Sequence, residues 1–300
     1  VAVTAKGFDD TGRSCYGEAT YAFNADVRAP AAFYLGQTSI LHGEFVVITG
    51  KNVVDPSAIT FTSAPEIEFE PVFFTDGDYV RALVPIKYSL TYSPSYTFTI
   101  SYEGNDTTVT LNVEEKKYLG QQYDISAETI AATRNAATIE KFNTTVEPYL
   151  LQQTETRYFT PGTPFLNAPT NSTSVRTGFG VYRTLTATGT VYQHEGVDYL
   201  VNSGTQVQAC ADGVVIYAGT QTLSGRTVII DHGFGLKSLY CHMSSITVGE
   251  GDAVTAGTIL GAVGETGFTS GLSLHFGLYV FDTPVCPYDL WEEGIVTVDP

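Results

Sequence analysis

The chain has 300 residues, a formal net charge of −17 and 43% apolar residues. The negative charge argues against a nucleic-acid partner, because basic side chains that neutralise phosphates supply most of that affinity. No segment approaches the roughly 18 uninterrupted apolar residues of a transmembrane helix, so we expect no membrane span in this chain. The chain starts at Val1 without a basic-then-apolar leader, which favours a trimmed mature chain.

Few residues are charged, whereas Thr, Ser, Gly and Tyr are abundant, a balance typical of a strand-rich protein. We expect an extracellular or cell-envelope protein, secreted or anchored by a segment missing from this chain. Its four cysteines, Cys15, Cys210, Cys241 and Cys286, form no CxxC motif, which argues against a Cys-based zinc knuckle. One or two disulfides and buried free thiols both stay open, and the wide spacing predicts no pairing.

The N-terminal part of the chain is predicted to be irregular at first and then β throughout. Residues 1–30 are expected to be irregular, with a short hairpin around SCYGEATYAF. Residues 31–115 contain short alternating runs separated by Gly, Pro, Asn and Asp, namely EFVVITG, AITFTS, YVRALVP, YTFTISYEG and TTVTLNVEE. Turn signals at this spacing predict an immunoglobulin-like β-sandwich, although the sequence has no Cys-Trp-Cys pattern.

Residues 116–155 are predicted to be a helical linker, because they hold the strongest helical pattern, SAETIAATRNAATIEKFNTTVEPYL. Ser126 can cap the start of this helix, and Pro148 is expected to end it. Apolar residues recur between them at helical spacing, at Ile139, Phe142 and Val146. We interpret this segment as a structural linker rather than a partner-binding helix.

Residues 156–300 are predicted to form a second β-rich domain, which the Pro- and Ser-rich stretch FTPGTPFLNAPTNSTS helps to delimit. Its predicted strands are HEGVDYLV, GVVIYAG, TVIIDHG, SLYCHM, TILGAVG and LSLHFGLYV. His42 stands alone in the N-terminal β region and is predicted to be structural. The other four histidines all fall in the C-terminal region: His194, His232, His242 and His275.

The segment HEGVD places His194 four residues before Asp198, and both residue types bind zinc. On a straight strand four residues span about 13 Å, too far apart for one ion. Gly196, Val197 and Tyr199 disfavour a helix that would bring the pair together. The two side chains can therefore share a metal only if the chain bends between them, and Gly196 permits such a bend.

A zinc site needs a third protein ligand, for which His275 and His242 are both candidates. His275 follows Ser273 by two residues, so both side chains are expected on one face of a strand. Tyr240 and His242 have the same spacing and are expected to share a face as well.

Several ordered motifs in this region resemble the lysostaphin/LytM-type zinc metalloendopeptidases of peptidase family M23. HEGVDYLV is similar to the family's HxxxD motif, and YCHM, preceded by VIIDHGFGL, is similar to its Tyr-x-His segment. VGEGDAVTAGTILGAVGETG resembles the glycine-rich hairpin before the family's last motif, and FGVYR resembles its Phe-Gly-x-Arg segment. The resemblance covers roughly residues 160 to 285 and implies an antiparallel-β LytM/M23-type domain within 156–300.

The resemblance implies that His194, Asp198 and His275 bind Zn²⁺ and that His242 is a catalytic histidine. It departs from the family at Ser273, which stands where the first histidine of an HxH motif is usual. A serine hydroxyl can orient a water or a carbonyl oxygen, but it is no base near neutral pH. Loss of one acid–base group commonly costs about 10²- to 10⁴-fold in rate.

The function implied by the resemblance is hydrolysis of peptide bonds in bacterial peptidoglycan, in the stem or the cross-bridge. The alternative is a catalytically impaired zinc-binding domain that binds the cell wall or a cell-envelope protein partner. We favour the enzyme, because all three candidate ligands are present. His232 is either a second group near the cleft or a turn residue with local hydrogen bonds. Candidate oxyanion stabilisers are Tyr182, Tyr192 and Tyr240.

Two further classes of protein fit the sequence less well. The glycine-rich hairpin also resembles that of biotinyl and lipoyl carrier domains, but the nearest lysine, Lys237, lies outside it. A structural adhesin-like protein would suit the N-terminal half and would leave the His/Asp pattern unexplained.

Overall fold

The structure is a computed structural model that describes residues 2–8, 11–20, 29–168, 172 and 174–300. The chain divides into two compact units, Val1–Pro30 and Ala31–Pro300. In the first unit, β1 (Ala2–Phe8) and β2 (Ser14–Thr20) pair as an antiparallel hairpin. The expectation of an irregular segment was wrong for β1, because β2 pairs with this strand. Residues 21–23 of the predicted hairpin lie outside the described residues.

The second unit begins with two four-stranded sheets that lie within residues 31–115. The strands are β3 Ala32–Leu35, β4 Ser39–Leu41, β5 Phe45–Lys51, β6 Thr60–Ala64, β7 Phe74–Asp76, β8 Tyr79–Pro85, β9 Ser95–Tyr102 and β10 Asn105–Glu114. The first sheet has the order β3-β5-β8-β7 and the second has the order β4-β10-β9-β6. Neighbouring strands are antiparallel, except that β4 and β10 run parallel. A 3₁₀ turn, Pro56–Ala58, precedes β6. The predicted β runs are strands, and the immunoglobulin-like detail stays a prediction.

Alternation along these strands builds the core between the two sheets. In β9, Tyr96, Phe98 and Ile100 are buried and the residues between them are less so, as a period of two requires. The central strand β5 is buried on both faces: Val46 packs in this core, whereas Val47 packs in the core of the C-terminal region. The sandwich is therefore joined to the C-terminal region through a shared strand.

The linker holds strand β11 (Gly120–Tyr123) and two helices, α1 (Ala127–Thr133) and α2 (Ala136–Leu150). The Ser126 side chain accepts a hydrogen bond from the Thr129 N–H, which confirms the predicted cap. The single predicted helix is interrupted because Asn135 and Thr138 form a capping box that starts a second helix.

Pro148 does not end the second helix, so that prediction was wrong. The proline lies inside α2, which continues to Leu150. Val146 and Leu150 are buried against the C-terminal sheet, and this packing outweighs the backbone hydrogen bond that proline removes.

The C-terminal region is built on a large antiparallel sheet of order β12-β15-β22-β19-β18-β17-β20, with β16, β21 and β23 paired beside it. A smaller sheet has the order β11-β13-β14. The bounds are β12 Val175–Thr177, β13 Tyr182–Leu185, β14 Val191–Gln193, β15 Val197–Leu200, β16 Gln206–Gln208, β17 Gly213–Gln221, β18 Gly225–Gly233, β19 Leu236–Ile246, β20 Ala253–Val254, β21 Ile259–Val263, β22 Ser273–Val280, β23 Thr283–Pro284 and α3 Tyr288–Glu292.

The two faces of the large sheet have different roles. Along β22, Leu274 and Phe276 point into the main core, whereas His275 and Tyr279 point to the opposite face. Helix α2 packs on that opposite face, where Val146 meets Tyr279 in a second apolar cluster. The histidines of interest and the linker helix therefore share one face of the sheet. In the described ranges, no helix has the length and hydropathy needed to cross a bilayer.

Candidate metal centre and cleft

Three side chains meet on the face of the large sheet that also packs against α2. His194 Nε2 lies 3.1 Å from Asp198 Oδ1 and 3.0 Å from His275 Nδ1, and the last two atoms are 2.8 Å apart. Ligands at about 2.1 Å from a tetrahedral ion are about 3.4 Å apart, so these spacings need only a slight expansion. Two imidazoles and one carboxylate can therefore hold a divalent metal ion and leave a fourth position open.

Strand register and a bend bring these residues together. Asp198 and His275 are direct partners on the antiparallel strands β15 and β22. The chain bends at Gly196, which returns His194 to the same point, as the sequence required. A Cβ at Gly196 would lie 2.4 Å from the Phe276 carbonyl oxygen, so only glycine fits this approach.

Neighbouring groups fix the orientation of the donors. His194 Nδ1 lies 3.0 Å from the Gly178 carbonyl oxygen, which accepts its proton and leaves Nε2 free as a ligand. The guanidinium of Arg183 donates to Asp198 Oδ2 and to the Thr177 hydroxyl, so the other carboxylate oxygen faces the histidines. Arg183 belongs to the Phe-Gly-x-Arg resemblance, and its contact explains the need for a cation at that position.

The charge states suit metal binding. Burial lowers the pKa of His194, which keeps its ring neutral. Burial alone would raise the pKa of Asp198, but its contacts with His194 and the Arg183 charge outweigh it and hold that pKa well below its usual range. A carboxylate and a neutral imidazole are the forms that coordinate a metal.

His242 lies beside these three donors, with its ring centroid 6.1 Å from that of His275. Its Nδ1 is 2.8 Å from the Thr266 carbonyl oxygen, which leaves Nε2 as the free nitrogen. Burial, followed by the proximity of His275, lowers the pKa of His242 to about 4. A neutral ring with a free nitrogen can accept a proton.

Tyr240 and His242 were expected to share a face, and this was wrong. Tyr240 is buried in the main core, whereas His242 faces the cleft. The register of β18 against β19 shifts between the pairs Val228↔Tyr240 and Arg226↔Met243, so β19 carries one extra residue. His242 has a φ of 66°, and this bulge rotates its side chain to the other face.

Residues 192–287 match the sequence model of peptidase family M23. The C-terminal part of this chain is an M23 peptidase domain. The matched range contains the three meeting side chains, His242 and Ser273.

Two relatives illustrate the M23 domain. The DD-carboxypeptidase/endopeptidase Mpg of Neisseria meningitidis serogroup B is 39% identical over 94 residues, which are 31% of this chain and 22% of that protein. The peptidoglycan DD-endopeptidase ShyA of Vibrio cholerae is 34% identical over 111 residues, 37% of this chain and 26% of that protein. The chain thus matches about a quarter of the length of these relatives.

A solved Pseudomonas aeruginosa chain named for peptidase M23 shares the fold. Its TM-score is 0.54 at 22% identity, over 79% of this chain and 94% of that chain. The likeness extends beyond the matched family range, and it confirms the mainly β architecture with an M23 fold.

Ser273 lies on the same face of β22 as His275 and is almost fully buried. Its hydroxyl donates to the Gly271 carbonyl oxygen at 3.1 Å and lies 3.0 Å from the Thr269 hydroxyl. In the described part of the chain, the cleft is lined by His242 and His275 but not by Ser273. The Ser273 hydroxyl is therefore hydrogen-bonded to the preceding loop and does not line the cleft.

The cleft is an open cavity of about 420 Å³ beside the M23 donors. Sequence reasoning missed much of its lining, because that lining comes from other parts of the chain. The sandwich contributes Tyr88 and Ser89, the junction of α1 and α2 contributes Arg134, and α2 contributes Ile139, Phe142 and Asn143. Glu195 also lines the cleft, and its position next to His194 in HEGVD was an available signal.

The three candidate oxyanion stabilisers lie in different places. Tyr192 lines the cleft and accepts a hydrogen bond from Arg183 at 3.4 Å. Tyr182 is exposed outside the cavity lining, and Tyr240 is buried in the core, where its hydroxyl accepts from the Cys210 N–H. Only Tyr192 can reach a substrate in the cleft.

His232 and His42 lie outside the cavity lining. His232 is buried, with Nδ1 2.7 Å from the Asp212 carbonyl oxygen and Nε2 2.7 Å from the Ser238 hydroxyl. This supports the interpretation as a residue with local hydrogen bonds. His42 is buried in the sandwich and contacts the ring of Tyr92.

Three cysteines, Cys210, Cys241 and Cys286, are buried free thiols. Of the two possibilities left open, the structure thus gives free thiols for these three. The fourth, Cys15, lies outside the residues whose side chains are described.

Proposed function

We propose that this chain is a zinc-dependent endopeptidase that acts on the peptide part of bacterial peptidoglycan. One observation supports this most strongly: three metal donors within 3.1 Å of one another lie beside a neutral histidine in an open cleft. The division of the second unit into 31–115, 116–155 and 156–300 remains part of this proposal, with the peptidase in the last segment.

Zinc is the proposed metal, because two imidazoles and a carboxylate with one open position are a usual catalytic zinc set. His194, Asp198 and His275 would hold the ion. A bound Zn²⁺ would polarise the scissile carbonyl and lower the pKa of a water towards neutrality.

The protein groups around the cleft would move the protons. His242 Nε2 would take a proton from the attacking water and return it to the leaving amine. Its Nδ1 contact with the Thr266 carbonyl oxygen fixes the tautomer that this role needs. Tyr192 accepts from Arg183, so its own proton is free to stabilise the oxygen on which charge develops.

The substrate class is proposed from the relatives. ShyA is named a peptidoglycan DD-endopeptidase, and Mpg is named a DD-carboxypeptidase/endopeptidase. A peptidoglycan substrate would place the protein outside the cytoplasm, in the cell envelope or secreted. The charged side chains that line the open cleft are Arg134, Glu195 and Arg183, and Arg183 is already paired with Asp198, a balance that suits a peptide better than a polyanion.

A second candidate is a catalytically impaired zinc-binding module that binds the cell wall or a cell-envelope protein. The contacts of Ser273 favour it, because its hydroxyl is directed to Gly271 and Thr269. Only His242 is then available as an acid–base histidine. This candidate keeps the metal and loses most of the hydrolysis.

Zinc content and the release of soluble peptides from purified peptidoglycan separate the two candidates. We expect the wild type to bind one zinc and to hydrolyse, and His242→Ala to lower the rate by at least about 10²-fold. His42→Ala is the matched control, a buried histidine outside the cleft, and should not change the rate. Zinc binding without hydrolysis, with activity gained in Ser273→His, would establish the impaired module. Absence of bound zinc would exclude both candidates.

A further inference from the structure

One arginine in the cleft comes from the linker. Arg134 follows the last residue of α1, where the Asn135 cap interrupts the helical pattern. Its guanidinium carbon lies 3.9 Å from the centroid of the Tyr192 ring and 5.1 Å from that of Phe268. A segment outside the family match thus brings a cation to the site.

The two rings form a rigid support for this cation. They contact each other edge to face, with centroids 6.3 Å apart. Phe268 is buried in a small apolar cluster with Tyr123 and Leu185, and Tyr192 packs against that cluster. Cation–π contact on a fixed ring pair limits the positions that the guanidinium can adopt. Arg134 is therefore oriented before any ligand arrives.

The N–H groups of this guanidinium have no hydrogen-bond acceptor among the described residues, and the Glu195 carboxylate acts on it only as a nearby charge, without an ion pair. Three other arginines of the second unit, Arg81, Arg157 and Arg183, each pair with an aspartate. Arg134 is half-buried, and a charge held away from water favours an anionic partner. The ring contacts use no N–H group of the guanidinium as a hydrogen-bond donor to the protein, and a guanidinium with free N–H groups can bind a carboxylate with two hydrogen bonds.

From these contacts we infer that Arg134 forms a carboxylate subsite and determines substrate specificity. This inference rests on the proposed peptidase function. The ligand is a free carboxylate of the peptide close to the scissile bond, because Arg134 lines the same cavity as His242 and His275. A phosphate-rich polymer fits less well, since it carries many negative charges and the chain itself has a net charge of −17.

A pair of peptides that differ only in this carboxylate tests the subsite. The probes are a tripeptide ending in D-alanyl-D-alanine with a free C-terminal carboxylate and the same tripeptide as its C-terminal amide. Binding to the full zinc-loaded chain is measured by calorimetry, and kcat/KM is measured for each probe. The wild type should prefer the acid by about 10- to 100-fold, the range for a charge-assisted pair.

Arg134→Gln should abolish this preference and leave binding of the amide unchanged. Arg134→Lys keeps the positive charge but lacks the paired N–H donors of a guanidinium, so it should retain part of the preference for the acid. Arg226→Gln, a change of an exposed arginine on β18, is the matched control and should leave the preference intact. A wild type without preference, or an Arg134→Gln variant that weakens acid and amide equally, would overturn the subsite.

The two readouts distinguish failure of the subsite from failure of the peptidase proposal. Equal hydrolysis of acid and amide would remove the subsite and leave the peptidase. An acid preference in binding that Arg134→Gln abolishes, without hydrolysis of either probe, would remove the peptidase and leave the subsite.

Discussion

Replacement of Arg183 by Met tests whether the charge behind Asp198 sustains the metal centre. The Arg183 guanidinium is buried and donates to the carboxylate oxygen that faces away from the histidines. Met keeps the apolar stem and removes the charge and the hydrogen bonds. Loss of a residue that orients a metal ligand costs about 10- to 100-fold in metal affinity, or roughly 1.4–2.7 kcal/mol.

The same change should also lower stability. Breaking a buried ion pair from one side costs about 3–5 kcal/mol, because it leaves the other charge unpaired. Arg81→Met is the matched control, since Arg81 is equally buried and pairs with Asp76 at 2.6 Å in the sandwich. We expect both variants to lose stability and only Arg183→Met to lose zinc affinity.

Zinc affinity is measured by competition with a chelator at fixed pH, and folding is checked by cooperative thermal unfolding of the zinc-free protein. A folded Arg183→Met variant with affinity within twofold of the wild type would refute the reasoning. Equal loss of affinity in Arg81→Met would refute it too, because the effect would then follow stability alone.

Three further predictions concern stability and the site. Burial raises the pKa of Glu44 to about 7, so its contribution to stability is present below the unfolded value of 4.5 and is lost as the pH rises through 7. Glu44→Gln should flatten this dependence and stabilise the protein above pH 7 by up to about 3 kcal/mol, measured by denaturant unfolding across pH. Gly196→Ala should lower zinc affinity and melting temperature, because its Cβ would lie 2.4 Å from a backbone oxygen, whereas Gly120→Ala, with open space around it, should change neither. Leu150→Ala should lower the free energy of unfolding by about 2–5 kcal/mol, because it leaves a cavity. The same change at the neighbouring exposed Leu151 should lower it by less than about 0.5 kcal/mol. Equal losses in the two variants would contradict the packing of α2 against the sheet.

Local patterns predicted the elements whose residues interact with near neighbours. The alternation in β9 gave a strand with the correct buried side, and the spacing of His194 and Asp198 required the bend at Gly196. The same logic failed at Tyr240 and His242, because a one-residue bulge reverses the faces and leaves no sequence signal.

The walls of the cleft were not predictable from local patterns. Tyr88 and Arg134 reach the cavity from a sandwich loop and a helix junction, and their arrival depends on how distant segments pack. The continuation of α2 past Pro148 has the same origin, since the burial of Leu150 against the sheet is a tertiary effect.

The most direct test of the central claim is peptide release from purified peptidoglycan by the full chain before and after zinc is removed. The proposed function predicts that release stops when zinc is chelated and returns when one equivalent of Zn²⁺ per chain is added. Release that persists after chelation, or a chain with one bound zinc that releases no peptide, would contradict the proposal of a zinc-dependent peptidase.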